Sequence, residues 1–219
     1  MKTKPLLTER HKAQRVDFAL EYANPKYDWT KWIFSDEKKF NLDGPDGYRY
    51  YWHDLKSESN VKIYSKDHNY RKSVMIWGAI SKQGVSKLVE VKPKTKALDY
   101  IQILEEGLIP IYGDDDIFQQ DGAKCHTAKI TKEFFEDNLI EVPTWPSKSP
   151  DLSPIENIWG WMSRNVYSEK PAYKDVESLK KAIWKAWDEI PDDLIDKLID
   201  SMPKRLKLVI VNGGNTINY

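Results

Sequence analysis

The sequence has a single cysteine, Cys125, among 219 residues. One thiol excludes a disulfide framework and a zinc site built from cysteines, and it suits a reducing compartment. The chain also has no run of about eighteen apolar residues, so we expect no membrane span and no membrane partner. Its 34 basic and 34 acidic residues cancel. Net charge therefore gives no support for nucleic-acid binding, which only local basic clusters can provide.

What the chain does contain argues for a folded protein. Apolar residues make up 40% of the sequence, and nine residues are tryptophan. This composition argues against a disordered chain. The length corresponds to one ordinary or one large domain with a substantial core.

The first half of the chain is predicted to be rich in strands. After a helix over residues 5–24, the apolar side chains of Trp32, Phe34 and Phe40 share one face of a period-two segment, which predicts a strand. Further strands are predicted over 48–52, 74–80 and 85–91, the first of them after the turn sequence LDGPDG. Because residues 74–80 are apolar on both faces, we expect them to form a central strand.

The second half alternates strands and helices and then becomes helical. Helices are predicted over 95–106 and 127–138, and strands over 117–120 and 139–142. The buried stripe of the first helix is predicted to contain Leu98, Ile101 and Leu104. Three prolines make TWPSKSPDLSP an extended loop, and three helices follow it. This order predicts an α/β fold with a mixed sheet between layers of helices.

Asp36 is set into the apolar face of the first predicted strand. A solvated strand carboxylate is one interpretation, but its face-mates are Trp32 and Phe34. An unpaired carboxylate is costly to bury there, so a cation or a basic partner is expected. Glu37 points the other way and is expected to be solvated.

Asp121 ends an apolar strand, and His126 follows it closely. A turn aspartate at a strand end is common, whereas functional sites also collect at strand ends in open sheets. His126 is interpreted first as a hydrogen-bonding residue at a helix start. Its place near the same strand end also makes it a candidate to support a site there.

The position of Glu156 is explained well by a structural role at the start of a helix. Ser153 and Glu156 have the spacing of a capping box, with Pro154 at the first helical position. A metal-binding role conflicts in part with this cap, and the helix dipole disfavours a cation there. Asp151 in the same loop competes as the third acid. The basic cluster of Lys204, Arg205 and Lys207 is expected to form a solvated surface.

Six phrases taken together resemble the catalytic domain of a Tc/mariner-superfamily transposase, within the DDE transposases and retroviral integrases. They are PLLTERHKAQRVDFA, FSDEKKFNL, DGYRYYW, SVMIWGAIS, FQQDGAKCHTA and WPSKSPDLSPIENIWGWM, in the family's order. Asp121 and Glu156 have 34 residues between them, the family's spacing. Two residues depart from the pattern, since Gly122 and Ser153 stand where the family commonly has asparagine.

The resemblance implies an RNase H-like fold with a mixed five-stranded sheet flanked by helices. It implies that Asp36, Asp121 and Glu156 are the catalytic residues and hold two Mg²⁺ or Mn²⁺ ions. Candidates to support these ligands are His126 and Asn157. Candidate DNA contacts are Lys62, Lys66, Arg71, Lys72 and Lys148.

The implied activity is cleavage of transposon ends and transfer of the 3′-hydroxyl into target DNA, with TA as the target. Double-stranded DNA is the implied partner, a homodimer is expected in the DNA complex, and a nuclear location is expected. A nuclease without strand transfer and a domesticated, non-catalytic DNA-binding protein remain alternatives.

The domain prediction divides the chain into three parts: residues 1–30 lead into a catalytic domain over 31–201, and 202–219 form a tail. A clamp-like insertion is expected around 43–72. The first phrase normally follows helix-turn-helix modules in this family. We therefore expect an isolated catalytic domain that binds DNA weakly.

Overall fold

The computed structural model describes residues 6–45, 72–168 and 172–218. Its strands are β1 (Trp32–Asn41), β2 (Ser73–Ser81), β3 (Gly84–Val85), β4 (Val89–Glu90) and β5 (Ile117–Gln119). They form a five-stranded sheet in the order β3-β2-β1-β5, with β4 also paired to β2. β1 is antiparallel to β2 and parallel to β5. The predicted mixed sheet and the central position of β2 are confirmed.

Helices cover both faces of this sheet. They are α1 (Glu9–Tyr22), α2 (Ala97–Gly107), α3 (Lys129–Asp137), α4 (Ile155–Val166), α5 (Val176–Asp188), α6 (Asp192–Asp200) and α7 (Met202–Val211). Period-two alternation in β1 sends Trp32 and Phe34 into a core shared with α1 and α4–α7. It sends Ile33 into a second core shared with α2 and α3.

Two predicted strands are shorter in the structure than in the prediction. In place of one strand over 85–91, the structure has Val85 at the end of β3 and the separate two-residue strand β4. In 139–142 only a bridge between Ile117 and Glu141 forms. The predicted strand at 48–52 and most of the predicted clamp-like insertion lie outside the described residues.

The buried stripe of α2 was predicted correctly only at Leu104, which is buried, whereas Ile101 is half-buried. Leu98 is 68% exposed, and the buried residues are Tyr100, Ile103, Leu104 and Gly107. These positions recur at helical spacing, so the helix is rotated relative to the predicted face. Gly107 lies on this buried face, where an added Cβ would lie 2.4 Å from the ring of Trp77. The glycine lets α2 pack directly on β2.

The C-terminal segment forms a helix where the sequence predicted no element. Met202, Leu206 and Val209 of α7 are buried in the same core as the sheet, and α7 packs against α1. Arg205 is fully buried, so its assignment to a solvated surface was wrong. Its guanidinium reaches an interior network described below. The domain boundaries at 30 and 201 stay predictions.

Candidate functional site

The strand register brings Asp36 and Asp121 together. β1 and β5 run parallel, with Phe34 opposite Gln119. Continuing this register by two residues aligns Asp36 with Asp121, just beyond the carboxyl end of β5. Carboxyl ends of parallel strands are where sites form in α/β sheets.

Glu156 lies in the first turn of α4 with its carboxylate free of the cap. The helix begins at Ile155 with Pro154 as its N-cap and no side-chain cap hydrogen bond. The predicted capping box is therefore wrong. Pro154 already has helical φ and ψ, and the buried Ser153 hydroxyl instead lies 3.5 Å from the side-chain oxygen of Gln119.

One cleft of about 400 Å³ is lined by Asp36, Asp121 and Glu156. Trp145 and Lys148, from the proline-rich loop, also line it. The three predicted acids thus come from β1, from the segment after β5 and from α4, and they face the same space. Asp151 is not among the lining residues.

Asp36 is the most perturbed of the three acids. Burial raises the pKa of its carboxyl to about 7, and the nearby Glu156 and Glu37 carboxylates add to this rise. The indole Nε1 of Trp159 donates a hydrogen bond to Asp36 Oδ2 at 3.0 Å. Burial disfavours the charged form of this carboxyl, and a nearby cation would stabilise that charged form.

Asp121 is held by a histidine. Its Oδ1 lies 2.6 Å from His126 Nδ1 and accepts the Ala123 N–H at 2.9 Å. The hydrogen bond from His126 lowers the pKa of Asp121, against a smaller opposing effect of burial. Among the described residues, no group donates to Asp121 Oδ2, which leaves that oxygen available to a ligand.

The other ring nitrogen of His126 lies 3.2 Å from Glu37 Oε1. Burial lowers the pKa of His126, but hydrogen bonds to Asp121 and Glu37 outweigh burial and raise it to about 10. The Glu37 side chain is only 17% exposed, so the expectation that it is solvated was wrong. Its face of β1 packs toward α2 and α3, where His126 lies.

Glu156 is exposed along the cleft. Desolvation raises the pKa of its carboxyl, and the positive charge of Lys38 opposes this rise. Both Asp36 and Glu156 are therefore shifted toward the neutral form. Such a pair of shifted carboxyls in one cleft is typical of a functional site.

Asp151, Asn157 and Arg205 belong to a structural network behind the cleft. Arg15 donates to both carboxylate oxygens of Asp151, at 2.8 and 2.7 Å. Arg205 donates to the Asp151 carbonyl and to Asn157 Oδ1, at 2.9 and 2.8 Å. Asn157 therefore contacts Arg205 and secures the start of α4.

The candidate DNA contacts are only partly described. Lys148 is exposed beside the cleft, where its Nζ donates to the Leu6 carbonyl. Lys72 is exposed just before β2. Lys62, Lys66 and Arg71 lie outside the described residues.

Sequence reasoning missed the contacts of Trp159 and Glu37. Trp159 is buried in the core, and its indole N–H also donates to Asp36. One signal was available, because Trp159 lies one helical turn after Glu156 and so shares its face of α4.

The donor set suits a hard divalent cation, since carboxylate oxygens are the preferred ligands of Mg²⁺ and Mn²⁺. Across the three described ranges, no group of three or more His, Cys, Asp or Glu side chains is already close enough to enclose an ion. In the same ranges no helix combines the length and apolar character of a membrane span.

Comparisons with known proteins agree with this architecture. Residues 31–180 match the family model described as DDE superfamily endonuclease. The chain is 43% identical over 219 residues to the Tc3 transposase of Caenorhabditis elegans, covering 98% of this chain and 65% of that protein. It is 31% identical over 223 residues to the Tcb2 transposase of Caenorhabditis briggsae, covering 99% of this chain and 81% of that protein.

Solved structures of the Mos1 transposase share the fold. The isolated Mos1 mariner catalytic domain has a TM-score of 0.72 at 20% identity, covering 99% of this chain and 100% of that one. A Mos1 paired-end complex with the left transposon end has a TM-score of 0.80 at 20% identity, covering 100% of this chain and 67% of that one. These likenesses establish the RNase H-like fold. With the family match over more than half its length and these transposase relatives, the chain belongs to the DDE superfamily of endonucleases, among the Tc/mariner transposases.

Proposed function

We propose that this chain is the catalytic part of a cut-and-paste DNA transposase. One observation carries the proposal: acids from three distant segments, Asp36, Asp121 and Glu156, line a single cleft. The chain spans 65% of the length of the Tc3 transposase. The activity of a whole transposase is therefore part of the proposal.

Divalent metal is the proposed cofactor, with two Mg²⁺ or Mn²⁺ ions per site. Two Mos1 structures are described with Mn and with Mg, which supports this choice. Asp36, Asp121 and Glu156 would hold these ions through their carboxylate oxygens. When bound, a pair of such ions activates the attacking oxygen and stabilises the leaving one.

The residues around the acids have their own proposed roles. His126 and the Ala123 N–H contact Asp121 Oδ1, which leaves Oδ2 for a cation. Because the pKa of Asp36 is raised to about 7, its proton leaves as a cation binds, and the pKa of Glu156 is shifted in the same direction. Cation binding by this site is therefore expected to tighten as pH rises.

Double-stranded DNA is the proposed substrate, cut at a transposon end and joined through its 3′-hydroxyl to a target, with TA as the proposed target. A Mos1 strand transfer complex is among the structural relatives, and a Mos1 paired-end complex holds a transposon end. A homodimer in the DNA complex and a nuclear location are part of the same proposal. Lys148, beside the cleft, is a proposed phosphate contact.

The test is metal-dependent cleavage by single-residue variants. Asp36→Asn, Asp121→Asn and Glu156→Gln are each expected to abolish Mn²⁺-dependent cleavage of a transposon-end duplex while the circular dichroism spectrum is retained. Asp137→Asn, an exposed acid of α3, is the matched control and should keep full activity. Full activity in any of the three would remove that residue from the site.

A joining assay separates transposition from simple hydrolysis. Pre-cleaved ends with a free 3′-hydroxyl are incubated with a plasmid target and Mn²⁺. Covalent joining is expected from the unaltered chain and not from Asp36→Asn. Cleavage without any joining would instead favour a nuclease that lacks strand transfer.

A further inference from the structure

We infer that Trp159 is a positioning residue that fixes the carboxylate of Asp36 for metal binding. This inference rests on the proposed function, because it takes Asp36 as a ligand. The Trp159 indole is 1% exposed, and its N–H donates to Asp36 Oδ2 at 3.0 Å. Trp159 also shares α4 with Glu156. One helix thus supplies one acid and orients another.

A stack of aromatic rings holds Trp159 in this orientation. Its ring stacks on Trp187 with centroids 5.4 Å apart and planes at 26°. Trp187 is itself fixed, since its Nε1 donates to the Ser86 carbonyl at 2.8 Å. Gly78 stands opposite Asp36 on β2, and a Cβ there would lie 2.7 Å from the Trp187 ring. The missing side chain of Gly78 therefore makes room for the stack beside Asp36.

The contact has a consequence beyond packing. A buried indole N–H usually has an acceptor, and this one uses an oxygen of a proposed metal ligand. A carboxylate that accepts such a bond keeps one rotamer, so its second oxygen is aimed consistently. Partners that orient metal ligands in this way typically change metal affinity by about 10–100-fold when removed.

The first experiment compares two matched substitutions in the same stack. Trp159→Phe removes the N–H that donates to Asp36. Trp187→Phe removes an N–H that donates to a backbone carbonyl, and both changes remove the same side-chain volume. Mn²⁺ affinity is measured by calorimetry without DNA. Trp159→Phe is expected to weaken binding by about 10–100-fold. Trp187→Phe keeps the Trp159 N–H and leaves a phenyl ring in the stack, so it is expected to weaken binding clearly less. Equal losses in both variants would overturn the inference, as would no loss in Trp159→Phe.

A second measurement needs neither metal nor activity. The indole N–H signal of Trp159 is followed by ¹H–¹⁵N NMR in the metal-free chain with and without Asp36→Ala. It is expected to move upfield, and by more than the other indole signals among the nine tryptophans. An unchanged signal would overturn the contact, even if Trp159→Phe fails to fold.

These outcomes are separable from failure of the proposed function. If the unaltered chain neither binds Mn²⁺ nor cleaves DNA, the proposed function fails while the indole measurement still reports the contact. If Asp36→Asn abolishes cleavage but the two phenylalanine variants bind Mn²⁺ equally, the function stands and the role of Trp159 is refuted.

Discussion

Replacing Arg15 with leucine is expected to lower the free energy of unfolding by about 3–5 kcal/mol. The Arg15 side chain is fully buried and donates to both oxygens of Asp151 and to the Gly214 carbonyl. Asp151 is itself only 12% exposed. Removing the guanidinium leaves the Asp151 carboxylate nearly buried, and the Ile217 N–H is then its remaining donor among the described residues. Breaking a buried ion pair in this way is costly because it leaves an uncompensated charge.

The assay is urea unfolding followed by circular dichroism, with linear extrapolation to water. Glu9→Gln is the matched control on the same helix. It removes a surface ion pair with Lys12, in which the Glu9 side chain is 89% exposed. That change should cost about 0–1 kcal/mol. A loss below about 1 kcal/mol in Arg15→Leu, the range of surface pairs, would refute the assignment of this pair to the interior.

A double-mutant cycle assigns the loss to the pair. If the two side chains interact as described, Arg15→Leu combined with Asp151→Leu should cost less than the sum of the single changes, by about 0.5–3 kcal/mol. Strict additivity would show that the two residues act independently.

Three further predictions concern the core and the cleft. Gly107→Ala should destabilise the chain by about 1–3 kcal/mol in urea unfolding, because the new Cβ would lie 2.4 Å from the Trp77 ring; unchanged stability would contradict this packing. The pKa of Asp36 is raised from 3.8 to about 7 in the fold. Asp36 therefore ionises first in the unfolded chain, and the free energy of unfolding falls progressively from about pH 4 to 7. Asp36→Asn in EDTA should therefore gain stability over the unaltered chain across that range, and a pH-independent difference would disprove the shift. Glu37→Gln should lower the pKa of His126, raised to about 10 partly by Glu37, in an NMR titration, and an unmoved titration would exclude the contact.

Much of the fold was predictable from periodicity. The alternation of apolar residues identified β1, the two-sided apolar run identified β2, and proline positions identified the loop before α4. These signals are local, because each depends on neighbours within a few residues. The rotation of α2 and the existence of α7 were missed, since both depend on which distant surfaces accept them. Gly107 fits against Trp77, and α7 packs on α1.

The candidate site was also predictable only in part from the sequence. Asp36, Asp121 and Glu156 were selected from the residues and the family resemblance, and they line one cleft. The capping box was wrong because Pro154 moved the helix start and Ser153 turned to Gln119. Spacing alone cannot distinguish these two arrangements of a serine before a helix.

The sequence by itself determined the chemical groups available to the chain: three carboxylates in separate phrases, a period that places Asp36 on an apolar face, and a loop that leads to Glu156. Only the tertiary structure decided what each carboxylate touches. Trp159 reaches Asp36 across 123 positions of the chain, and His126 joins Glu37 across 89. The physical reason is that periodicity records which face a side chain takes, whereas its hydrogen-bond partner depends on how distant elements pack on that face.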